Sequence, residues 1–177
     1  MTGLLVCAGA LATVPPRVGA ASACRGANLR PTGHNAAAID AATICLIDQL
    51  RVARHLHRLR SNTDLGTVAW SQVSSMVHRN WFADVRPSGQ TPMALVAVTR
   101  YAHAASISIG QNIAWGTGGY STPAGIVAAW MASPPHRQIM LSSEFQDAGA
   151  AAAPQLPSVL HAGRRGAIYA IEFGVRR

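Results

Sequence analysis

A chain of 177 residues with 49% hydrophobic and only 12% charged residues is long enough for one buried core and too apolar for a disordered segment. Its formal charge of +8 comes entirely from arginine, since none of its fifteen basic residues is lysine. The arginines are scattered and none lies in an aromatic-interleaved pattern, so no nucleic-acid partner is expected, and the basic surface reads as solvated.

The first fourteen residues, MTGLLVCAGALATV, form an apolar stretch of signal-peptide length, too short to span a bilayer. Pro15, Pro16 and the small residues Ala21-Ser22-Ala23 follow, so residues 1–23 are expected to be a cleaved export signal and residues 24–177 a single domain. No basic residue precedes the apolar run, which leaves two other readings: a start assigned too far downstream, or a buried N-terminal strand. Cleavage after Ala23 would leave two cysteines, Cys24 and Cys45. In an oxidising compartment that pair is most simply one disulfide, the competing reading being a lipidated Cys24.

Helical spacing of Ile39, Leu46, Leu50, Ala53 and Leu56 predicts an amphipathic helix from Asn35 to about Leu59. SNTDLG (61–66) is expected to be a turn, Val68 to Val77 a second helix ending near Asn80, and RPSGQ (86–90) another turn. Thr91-Pro92 and Thr122-Pro123 each place an N-cap before a proline suited to the first helical position, opening helices over 92–102 and 123–132. GQNIAWG (110–116) is a strand-like apolar run whose glycines are assigned to a backbone turn. Pro134-Pro135 must end the fourth helix, and HRQIML (136–141) can add one more helical turn. The last segments, 148–153 and 167–175, read as strands, although the alanine run of the former also favours helix. Helices first and strands last, without βαβ alternation, predict an α+β fold with an antiparallel sheet.

Neither a GxSxG, a Walker loop, an HExxH nor a CxxC pair is present. His55 and His57, two apart on the expected helix, cannot share a face. His34, His103 and His161 fall in loops or at helix ends, and His78 near a helix C-terminus. His136 differs, because SPPHR breaks a helix sharply and presents the imidazole to a concavity, with Arg137 beside it as an anion-binding candidate.

In order and spacing, CLIDQLRVARHL (45–56), MVHRNWFADVRPSG (76–89), GQNIAWGTG (110–118), IVAAWMASPPHRQIM (126–140), DAGA (147–150) and YAIEFG (169–174) resemble bacterial members of the CAP superfamily, the family of cysteine-rich secretory proteins, antigen 5 and pathogenesis-related proteins. The resemblance covers roughly residues 24–175. It implies an α-β-α sandwich with a central antiparallel sheet, a Cys24–Cys45 disulfide, an extracellular or envelope location, and a cleft that commonly gathers two histidines and two acids. Position by position the cleft is degraded. Asp84 stands where a histidine is usual, Gln111 replaces an acid, Ser133 marks the second acid, and only His136 is kept.

A zinc-type site wants three or four His, Cys or carboxylate ligands, and Asp84 with His136 supplies two. No metal or other cofactor is therefore expected. Gln111 cannot act as a general base, and no serine or cysteine nucleophile is evident beside His136. The substitutions are paired: Asp84 would form an ion pair with His136, bridged by the neutral amide of Gln111. The reading is a secreted, non-catalytic monomer that uses Asp84, Gln111, His136 and Arg137, or an adjoining apolar groove, to bind a lipid, a small apolar ligand, a peptide or an envelope or host component. The alternatives are a secreted hydrolase or protease using Asp84 and His136, and a wall-associated scaffold.

Overall fold

In a computed structural model, residues 24–161 and 165–177 are described, apart from the side chain of His161. The expected export signal lies outside the described residues. Elements run in the order α1 (Ala36–Val52), β1 (Arg60–Ser61), α2 (Thr63–Arg79), α3 (Pro92–Val96), β2 (Ile107–Thr117), α4 (Pro123–Ala132), α5 (Pro134–Met140), β3 (Asp147–Ala153), α6 (Ser158–His161) and β4 (Gly166–Arg176).

Local chemistry sets most of the helix ends. The Asn62 side chain accepts from Leu65 N–H at 3.1 Å, so α2 starts earlier than the expected turn at 61–66 and carries Gly66 inside its first turn. Left-handed Asn80 closes it, as an asparagine can at low steric cost. Thr91 and Thr122 cap α3 and α4 through the N–H groups of Ala94 and Gly125. Helix α3 is only five residues, because Thr99 caps a separate 3-10 turn over Arg100–Ala102.

The four strands lie in the order β1-β3-β4-β2. Strands β2 and β4 pair antiparallel over eleven residues, β3 and β4 pair antiparallel over seven, and β1 adds a two-residue parallel contact to β3. Alternation then divides the side chains. Ala148, Ala150, Ala152, Tyr169, Ile171 and Phe173 face Ile39 and Ile47 of α1 and Ile126, Val127 and Trp130 of α4. Ile113, Ala151, Ala153, Ile168 and Ala170 face Ala69, Val73 and Met76 of α2. The result is the expected α-β-α sandwich. The alanine run of β3 is a strand buried on both faces, where small side chains let helices lie close. Gly149 marks the tightest approach: a Cβ there would run into the backbone of Leu65 and Gly66.

Helix α1 ends seven residues sooner than its periodicity predicts. Arg51, 1% exposed, turns its guanidinium into the fold instead of continuing the helix surface. It donates to the carbonyls of His57 (2.9 Å), Met140 (2.9 Å), Ser142 (2.9 Å) and Phe145 (3.0 Å). The chain must fold back over it, and His55 takes a left-handed φ of 59° to do so. Asp48 Oδ1 accepts from Leu59 N–H at 2.8 Å and fixes the far end of this loop. His55 and His57 therefore sit on a loop, and the argument that they cannot share a helix face no longer applies.

Cys24 and Cys45 form a disulfide with Cα atoms 5.7 Å apart. It staples the N-terminal arm to α1, a constraint worth roughly 3 kcal/mol on the loop-entropy model. The bonded Cys24 thiol rules out a thioether-linked lipid on that residue. Ala27 C=O also accepts from Ala124 N–H at 2.9 Å, joining the arm to the start of α4.

Removing the buried guanidinium leaves four carbonyls without their donor. Arg51→Ala is expected to destabilise the domain by about 3–5 kcal/mol in urea denaturation, and Arg51→Lys to recover only part of this because an ammonium cannot span four acceptors.

Candidate functional site

The positions expected to share a cleft fall on two sides of strand β2. In a strand, successive side chains point to opposite faces, so Gln111 and Asn112 diverge. Gln111 faces the α2 layer and Asn112 the α4–α5 layer.

On the α5 side, Asn112 is fully buried and its Nδ2 donates to the backbone carbonyl of His136 at 3.0 Å. Pro134 and Pro135 occupy the first turn of α5, which holds the imidazole over Ser133. His136 Nδ1 lies 2.7 Å from Ser133 Oγ. A serine thus does stand beside His136, contrary to the expectation from sequence. Arg137 donates to Met131 C=O at 3.1 Å, bracing the α4–α5 corner.

On the α2 side, Gln111 lies directly opposite Glu172 in the β2–β4 register, and Glu172 lies opposite Gly149 of β3. Gln111 Nε2 donates to Glu172 Oε1 at 2.5 Å. Gln72, buried on α2, donates to the carbonyls of Ala83 (3.3 Å) and Asp84 (2.9 Å), and its Oε1 accepts from Arg86 Nε at 3.1 Å. That grip holds the 83–86 segment, and Asp84, itself exposed, lies close enough for its charge to act on Glu172.

Glu172 is the residue that sequence reasoning missed. The acid absent from position 111 is present one strand away, inside the apolar run YAIEFG. The signal was its parity: Glu172 shares the inward face of Ile168 and Ala170, a position where an acid needs a reason. Burial pushes its carboxyl up to about 7, the Gln111 hydrogen bond opposes that rise, and the Asp84 charge adds to it. Glu172 Oε2 and Gln111 Oε1 are both buried acceptors without a partner. A proton on Glu172 supplies the one donor this pair lacks, which is why the neutral acid suits the site.

The expected Asp84–His136 ion pair is not formed. The ion pairs among the described residues are Arg60–Asp147, Arg176–Asp147 and Arg177–Glu144. The amide of Gln111 meets Glu172 and bridges no such pair. Nor do three histidine, cysteine or acidic side chains converge anywhere among the described residues. The donors of the cleft, one imidazole already bonded through Nδ1 and acids on the other side of β2, do not fit a zinc-type centre.

The glycines of GQNIAWG also serve differently from expectation. The segment is strand throughout, and a Cβ at Gly116 would overlap the carbonyl of Tyr120. Close approach, not a turn, selects glycine there.

Since the folded state holds the Glu172 proton more tightly than the unfolded chain, this residue's stabilising contribution is complete below about pH 4.5 and is lost as pH rises through about 7. Glu172→Gln keeps the shape and removes the titration. At pH 8 the variant is expected to be more stable than the natural chain by about 2–3 kcal/mol, and near pH 4 to differ little, by urea denaturation across pH.

The cysteine-rich secretory protein (CAP) family matches residues 45–156 of this sequence. No curated protein matches this chain. Among solved structures, an outer surface protein of Borrelia burgdorferi is similar with a TM-score of 0.60 at 20% identity, covering 75% of this chain and 88% of that one. An extracellular protein containing an SCP domain from Bacillus anthracis gives a TM-score of 0.63 at 18% identity over 80% of this chain and 41% of that one. A cysteine-rich secretory protein of Staphylococcus aureus gives 0.55 at 16% identity, over 80% of this chain and 40% of that one. The fold is therefore shared with one structure of similar length and with parts of two longer proteins. The motif order, the sandwich and the family match agree: this chain belongs to the CAP family of cysteine-rich secretory proteins.

Proposed function

We propose that the protein is a secreted, non-catalytic binding domain whose ligand is a lipid or similar small apolar molecule. The observation that carries this reading is an apolar groove of about 370 Å³ between α1 and α4, walled by Leu46, Leu50, Val127 and Met131, with Ala128 at its open side. A site built from aliphatic side chains with few polar groups recognises hydrocarbon. Export is supported by the apolar N-terminus and by the disulfide, which persists in an oxidising compartment. Among the described residues no helix is long and apolar enough to cross a membrane. The likeness to an outer surface protein and to an extracellular protein is in keeping with an envelope or extracellular location.

The Ser133–His136 contact favours a second reading, a hydrolase. Its geometry argues against that role. A serine nucleophile needs an imidazole whose other nitrogen is oriented by an acid. Here Ser133 occupies Nδ1, and no acid bonds Nε2 among the described residues. Ser133 is also the residue that opens α5, three positions before His136, so the contact is local to the helix start.

Native mass spectrometry of the exported protein is expected to show a copurified apolar molecule. Ala128→Trp, which fills the groove from its exposed side, is expected to remove it and to weaken binding of a fluorescent long-chain fatty acid by about tenfold or more. Fatty-acid binding unchanged by Ala128→Trp would refute the groove. Covalent labelling of Ser133 by a fluorophosphonate would favour the hydrolase.

A further inference from the structure

We propose that the pocket between the 53–60 loop and the 141–146 loop is a binding site for a phosphate-bearing anion. The pocket measures about 420 Å³ and lies away from both the cleft and the α1–α4 groove. His55, His57, Arg58 and Arg60 line one wall, Ser143 and Gln146 the other, and Leu56 and Phe145 add apolar surface.

The two walls are built to stay together. Arg51 bonds the carbonyl of His57 on one loop and those of Ser142 and Phe145 on the other. Asp48 ties the first loop again at Leu59, and Arg60 N–H donates to Gln146 C=O at 2.8 Å. Within this frame His55 is held at a φ of 59°, a left-handed conformation that costs a non-glycine residue energy. The strain is local to the pocket wall, and it brings a second imidazole to the pocket that already carries His57.

The acids nearby are occupied. Asp48 accepts from Leu59 N–H, and Arg58 acts on it electrostatically. Asp147 accepts from Arg60 at 2.8 Å and from the Tyr101 hydroxyl at 2.8 Å, with Arg176 at 3.9 Å. Glu144 pairs with Arg177 at 3.0 Å. Buried Arg51 and exposed Arg58 and Arg60 therefore outnumber Asp48 and Asp147, and the excess charge lies at the open side of the pocket. Arg60 already donates through Nε to Asp147 and through Nη2 to Gln146 Oε1 at 3.2 Å, which leaves the Arg58 guanidinium, two imidazoles, the Ser143 hydroxyl and the Gln146 amide N–H groups as donors from both walls. That suits a tetrahedral oxyanion with several acceptor oxygens better than a planar carboxylate. The apolar surface of Leu56 and Phe145 accommodates the organic part of a phosphate ester.

The test uses the purified protein with isotope-labelled histidine and sn-glycerol 3-phosphate as the probe, glycerol being the control. Saturable shifts of the His55 and His57 ring signals with glycerol phosphate, and none with glycerol, are expected. Arg58→Ser is expected to weaken binding by about fivefold or more, and Arg100→Ser, an equal loss of charge on another face, by less than about twofold. Both variants stay at exposed positions, and unchanged thermal unfolding confirms their folding. Cosedimentation with phosphatidylglycerol vesicles that Arg58→Ser abolishes assigns the phosphate to a lipid headgroup; soluble binding without cosedimentation assigns it to a free or polymer-borne ester. Absence of saturable shifts, or equal weakening by Arg58→Ser and Arg100→Ser, would overturn the proposal.

Discussion

The guanidinium of Arg51 is the interaction on which the arrangement of the rest depends. A charge taken out of water is tolerated only when its donors are nearly all matched, and here four carbonyls from three segments do so. The consequence is architectural. Helix α1 ends, the chain reverses, β1 is delivered beside β3, and α5 is anchored through Met140 to the same group. Because the acceptors are backbone atoms, their side chains remain free to form a pocket whose two walls share one buried cation. The sheet order follows from this closure, since β1 pairs with β3 only where Arg60 reaches Gln146 and Asp147.

Two acids, the fully buried Glu172 and the half-buried Asp40, meet the opposite circumstance. Glu172 has one donor for two oxygens, and Asp40 has the N–H of Ala152 for one oxygen while Oδ1 lacks a partner. Desolvation dominates in both, pushing each carboxyl up to about 7. The buried cation has nearly all of its donors matched and keeps its charge, whereas an acid with half of its bonds holds its proton to a higher pH. In the cleft this means that an acid and an amide face one another on adjacent strands as a nearly neutral pair, with Asp84 at the exposed side. The imidazole of His136 is on the other side of β2, bonded to Ser133. The cleft keeps polar atoms in quantity yet does not assemble a base, a nucleophile and an acid in one place.

Much of this was legible in the residues. The Thr-Pro pairs at 91–92 and 122–123 mark helix starts because hydroxyl cap and fixed φ act locally. The final strands follow from apolar runs bounded by glycine and proline, and the motif order points to the fold. What escaped was non-local. The periodicity of α1 continues through Leu56, and only the distant carbonyls of Met140, Ser142 and Phe145 explain why the helix stops at Val52. A two-residue strand such as β1 has no sequence period at all. At the cleft, the motif order groups Gln111 with His136, whereas the pleat turns Gln111 toward α2 and Asn112 toward α5. Glu172 was hidden by its setting, an acid inside a strand otherwise apolar, and only the strand register shows that it faces Gln111.

Gln111 therefore has a partner more specific than the one its loop suggested: it bonds a carboxyl whose pKa burial pushes up to about 7. A charged acid at that position would make the cleft anionic and open to base chemistry or cations, while a neutral one leaves it a polar patch. Carbon-13 NMR titration of the Glu172 side-chain carboxyl distinguishes the two directly. The account predicts a midpoint near pH 7, and a midpoint near the ordinary glutamate value of about 4.5 would contradict it.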